Sequence, residues 1–270
     1  MINFFSRSPV LDSAASQWLF DAFSWALRNF DAQLFYNHTT LVLPTNDCFP
    51  GMADSPDTMA NLILEQVKNY VGVSHWPTRL VAEGALVPAE AVQYEIWGAL
   101  RDPYGVADES IGEEGRLPIL YNPQQITNPE GLIAVFSHTL AHHLGQMADE
   151  APPGGAEHWP HVTELLAIYT GFGVMFANSA FTFRGGCGSC YNPAANRDAW
   201  LSEREATYAL AIFAVLKAIP VSAVTRYLKG HLRGVFKQAM KEINARPEDL
   251  QQLRHNASGT HSLSSQGSPA

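Results

Sequence analysis

Cysteine is scarce in this chain, and so is charge. Its three cysteines, Cys48, Cys187 and Cys190, are an odd number. With no export signal ahead of them, they predict reduced thiols or metal ligands in place of disulfides. The opening Met1-Ile2-Asn3 has no basic residue, and the first apolar stretch is broken by Arg7, Ser8, Pro9 and Asp12, so no signal peptide is expected. Nowhere does the sequence hold about 18 consecutive apolar residues, which predicts no membrane-spanning helix and no membrane partner. The sequons at Asn37 and Asn256 then carry no weight, and a cytoplasmic location is expected. Only 16% of residues are charged, and 17 Lys and Arg against 26 Asp and Glu leave a net charge of −9. So acidic a surface repels phosphate backbones and argues against nucleic acid as a partner. There is no Gly-x-Ser-x-Gly elbow and no phosphate-binding glycine loop.

What is present suits a folded protein. Hydrophobic residues make up 46% of the chain, with 14 Phe, 9 Tyr and 6 Trp, enough for a sizeable core. Trp18, Leu19, Ala22, Phe23, Leu27 and Phe30 recur at helical spacing and predict a helix from Ser13 to Phe30. A second helix is expected from Thr58 to Tyr70. Short strands are expected at Thr40 to Pro44, Thr78 to Glu83, Val92 to Gly98 and Leu117 to Asn122. Helices should follow at Pro129 to Leu144, Thr163 to Ala177, Ser202 to Leu216 and Val221 to Ile243, with an acidic Gly/Pro loop at Asp149 to Gly155 and a glycine-rich connection at Arg184 to Asn192. The basic residues Arg226, Lys229, Arg233 and Lys237 fit the wet face of the last helix, where His231 also falls. The fold class is α+β and helix-rich, with a small sheet. No linker divides the middle, so residues 1–250 are expected as one domain and 251–270 as a disordered tail, Ser/Gly/Thr-rich from His255 onward.

The segment Phe136-Ser-His138-Thr-Leu-Ala-His142-His143 holds the most chemistry. His138 and His142 are four apart, so on a helix both imidazoles leave one face and can grip one ion. Zinc takes neutral imidazole nitrogen and accepts a carboxylate as third ligand. Glu164 supplies one at the start of the next helix, in an apolar context where an unpaired carboxylate would be costly. His143 points about 100° away from the ligand face. His161, three before Glu164, is a substitute ligand, and His158 reads as a loop residue. Against the metal stands the bland alternative, in which the histidines simply pack.

Here the sequence resembles the gluzincin clan of zinc metallopeptidases, which use His-Glu-x-x-His on one helix and a Glu from a following one. The likeness covers roughly residues 117–177, and includes a strand ahead of the zinc helix that in the clan pairs with extended substrate. It is also similar to bacterial proteins carrying gluzincin-like motifs. The resemblance implies a zincin-like helix pair with zinc on His138, His142 and Glu164, and a peptide or protein as partner. Two positions depart from the pattern. The clan's catalytic glutamate falls at Thr139, whose hydroxyl cannot act as a base near neutral pH. The acidic residue often found four after the ligand glutamate is Ile168. The expected function is therefore a zinc-binding, metallopeptidase-like protein with lost or altered activity and no assigned catalytic residue. A working metallohydrolase with a base from elsewhere, or a metal-free helical interaction protein, are the alternatives.

Cys187-Gly-Ser-Cys190 is half of a zinc knuckle, open either to a second ion or to plain thiols in a tight loop. Ser202 and Glu205 form a capping box, so structure accounts for Glu205 unless the fold aims it at a metal.

Overall fold

The computed structural model describes residues 8–82, 98–180 and 199–256. The strand expected at 92–98, the connection at 184–192 with Cys187 and Cys190, and the tail beyond 256 therefore lie almost wholly outside the described residues. Helix α1 spans Ser13–Asn29 and starts where the Asp12 carboxylate accepts the Ala15 amide at 2.8 Å. It is followed by α2 (Ala32–Asn37) and α3 (Pro56–Val71), the latter opened by a Ser55 cap. Strands β1 (Thr78–Ala82) and β2 (Leu117–Tyr121) pair in parallel, with Thr78 opposite Leu117 and Ala82 opposite Tyr121. Then come α4 (Pro129–Gln146), α5 (Trp159–Ala167), α6 (Gly173–Ser179), α7 (Glu203–Leu216), α8 (Val221–Thr225), α9 (Leu232–Asn244) and α10 (Pro247–Asn256).

Two helices organise the core. Every residue of α7 from Ala206 to Leu216 is buried, because α1, α6 and α9 pack around it. α4 is enclosed in the same way by α3, α5, α6 and β2. Beneath α2, the Arg101 guanidinium lies buried over the Tyr169 ring, donating to Val71 O at 2.7 Å and to Thr39 Oγ1 at 3.1 Å. Two indoles of α1 hold the acidic loop: Trp18 donates to Pro153 O at 3.0 Å and Trp25 to Glu150 O at 2.9 Å.

Several expectations need correction. Residues 40–44 form no strand; instead the Val42 amide donates to Gly171 O at 3.0 Å. That approach breaks the helix expected from Thr163 to Ala177. Gly171 has φ of +109°, and a Cβ there would collide with the Thr40 carbonyl. Only glycine meets both demands, so α5 and α6 are joined by a widened turn at Ile168–Phe172. The helix expected from Val221 to Ile243 is two helices. The Asn178 side chain, from α6, donates to Tyr227 O at 2.9 Å and accepts from Lys229 N at 3.0 Å, replacing the backbone bonds of a continuous helix. Residues 251–256, expected in a disordered tail, belong to α10, whose Leu250 and Leu253 are buried. Neither α2 nor α10 was anticipated from periodicity. The coarse class stands: helix-rich, with a small two-stranded sheet.

Candidate functional site

α4 begins at Asn128, whose Oδ1 accepts the Gly131 amide at 3.2 Å, with Pro129 in its first turn. Its length carries His138 and His142 on one face, both half-buried. The Gln146 side chain lies 3.1 Å from His142 Nε2. An amide nitrogen only donates, so that ring nitrogen is the acceptor and already engaged. The neighbouring His143 ring stands edge-on, 5.5 Å away. Burial, reinforced by His142, pushes its pKa down to about 4, so it is neutral at ordinary pH. Thr139 donates its hydroxyl to Val135 O at 3.0 Å, back onto its own helix.

Glu164 is fully buried. Its Oε1 accepts the Trp200 amide at 3.1 Å and its Oε2 accepts the Leu201 amide at 2.9 Å. Both amides lie just ahead of α7, whose partially positive N-terminus suits a carboxylate. The packing of α5 on α4 explains why Glu164 is used there. Trp159 and Leu166 cover Gly145 of α4, and a Cβ at that glycine would meet Leu166 at 3.0 Å. Trp159 and Leu166 share one side of α5, whereas Glu164 lies about 140° round from Trp159 at 3.6 residues per turn. That rotation directs it to α7. Among the described residues, no three His, Cys, Asp or Glu side chains converge to hold a metal ion.

The fold does bring other expected residues together. His158 immediately precedes α5 and His161 lies in its first turn. With Ala14, Ala15 and Trp18 of α1 and Glu205 of α7 they line a cavity of about 360 Å³. The Trp18 ring lies 5.8 Å from His158 and 6.2 Å from His161, and the Trp200 ring lies 5.9 Å from His161. His161 Nδ1 is buried with no hydrogen-bond partner among the described residues. Burial holds its pKa below the usual value, opposed by the Glu205 carboxylate and assisted by His158. Glu205 completes the anticipated capping box, Oε2 accepting Ser202 N at 2.8 Å. His231, exposed as expected, meets Glu203 at 3.1 Å. The clustering of histidines was legible in the sequence; the contributions of Trp18 and Trp200 were not, since both indoles come from elements far away along the chain.

The chain matches no protein-family model, none of the curated proteins and no solved structure. No helix among the described residues is long and apolar enough to cross a membrane.

Proposed function

We propose that the chain is a metallopeptidase-like protein that does not hydrolyse peptides and instead serves to bind a peptide or protein partner. The observation that carries this is Thr139. Its hydroxyl is committed to Val135 O, and no alkoxide forms there near neutral pH, so the position that would move the proton has no base. General acid–base help is worth about 10²–10⁴ in rate, and its loss leaves peptide bonds effectively uncut. Glu205, the other candidate base in the sequence, caps α7 and borders a cavity that His138 and His142 do not line. Purified protein should therefore show negligible peptide turnover with or without a chelator. Robust chelator-sensitive cleavage, unaffected by Thr139→Ala, would overturn the proposal.

Zinc on His138, His142 and Glu164 is a second reading, supported by the shared face of the two histidines on α4. It requires His142 to ligate through Nδ1 or Gln146 to release Nε2, whereas each Glu164 oxygen keeps a second lone pair beside its amide bond. Metal analysis of chelator-free protein tests it: one zinc per chain, lost in His142→Ala, supports it, and metal-free protein or zinc retained by that variant refutes it.

A further inference from the structure

The Trp18–His158–His161–Glu205 cavity has a polarity that the reading above does not use. His158 Nδ1 lies 3.1 Å from Gly154 O. A carbonyl oxygen only accepts, so in the neutral ring Nδ1 carries the hydrogen and Nε2 is left as an acceptor. The ring is seated there because residue 154 is glycine: a Cβ at Gly154 would run into the His158 imidazole. His161 Nδ1 is a buried polar atom without a partner among the described residues. Glu205 uses Oε2 for its cap and leaves Oε1 without a hydrogen-bond partner among the described residues. His158 Nε2 and Glu205 Oε1 are therefore acceptors, one of them anionic, against an indole wall.

Helix N-termini would ordinarily make such a place an anion site, since α1, α5 and α7 all begin here. Two of the three are already met by carboxylates of their own, Asp12 on α1 and Glu205 on α7, which removes the attraction for a second anion. The net charge of −9 likewise favours a cation. Ala14 and Ala15 leave the floor open, and 360 Å³ falls at the small end of ligand pockets.

We propose that this cavity binds a protonated primary amine, its N–H groups donating to Glu205 Oε1 and to His158 Nε2 while its alkyl stem packs on Trp18. The Trp18 indole adds cation–π attraction. Glu164 supports the wall from behind, because its bond to the Trp200 amide fixes the residue whose ring packs on His161. Free alkylamines and lysine side chains share this chemistry.

Calorimetric and tryptophan-fluorescence titrations of the full chain test it. The probes are propylammonium chloride, a doubly blocked peptide with a single lysine, tetramethylammonium chloride and sodium acetate. Saturable binding of propylammonium or of the lysine peptide is expected, the tighter of the two identifying a free amine or a side chain as the occupant. Glu205→Gln keeps the capping box, in which Gln also serves, and should melt as wild type while weakening binding about tenfold, the scale of one charge-assisted hydrogen bond. His158→Phe, which removes the imidazole acceptor and keeps an aromatic ring, should weaken it as well. The proposal is overturned if neither amine binds saturably, if Glu205→Gln binds as wild type, if tetramethylammonium matches the primary amine, or if acetate binds instead.

Discussion

Glu164 has no contact with water and gives an oxygen to each of two backbone amides. Gln at this position keeps one acceptor and turns a donor toward the other amide, so a charge-assisted pair becomes one neutral bond and one mismatch. Glu164→Gln should cost about 2–3 kcal/mol, a fall in melting temperature on the order of 5–10 °C. The measurement belongs in excess chelator, where a carboxylate that mattered only through zinc would show no effect. An unchanged melt there would mean that the amides do not depend on it. The residue types at this site were legible in the sequence: two histidines four apart, an apolar context for Glu164, and Thr139 where a base is expected. Which neighbour Glu164 meets was not. That depends on which side of α5 rests on α4, and Trp159, Leu166 and Gly145 decide it through side-chain shape, which periodicity does not encode.

At the scale of elements, apolar spacing located α1, α3, α4 and α7, along with both described strands, to within a few residues. It failed where a distant segment supplies the backbone's partner. Thr40 to Pro44 has the composition of a strand, yet Val42 bonds to Gly171 at a helix break and to no neighbouring strand. The stretch from Val221 to Ile243 keeps its amphipathic pattern across a break stitched by Asn178. α10 was hidden because its polar face dominates its ten residues, and only Leu250 and Leu253 reach the core. The break at Gly171 can be tested directly. Gly171→Ala faces a left-handed backbone, worth about 1–2 kcal/mol, and a steric conflict with the Thr40 carbonyl, worth about 1–3 kcal/mol more. A total loss of roughly 2–5 kcal/mol in urea unfolding is expected. A loss below about 1 kcal/mol, the ordinary scale of a point substitution, would mean that the 40–42 segment does not press on this turn.

The whole molecule is held together by contacts between residues far apart along the chain. α10 packs on α1, with the Arg246 guanidinium 4.2 Å from the centre of the Phe20 ring and 2.6 Å from Asp249. β1 reaches its partner only across the long connection to β2. Arg101 ties three separate segments of this network together, binding carbonyls of Val71 and Phe30, 30 and 71 residues away, and the Thr39 hydroxyl 62 residues away. Its consequence is a matter of time order. Each of those bonds closes a long loop, whose entropy must be lost before the contact returns anything, and a guanidinium gives up water only when all its new partners are in place. The Arg101 clamp should therefore form after the rate-limiting step of folding. Arg101→Met is expected to speed unfolding by roughly tenfold or more while leaving the refolding rate nearly unchanged in stopped-flow urea experiments. If refolding slows instead, this buried cation is an early organiser of the chain, and the segments at Phe30, Thr39 and Val71 meet before the helices around them have closed.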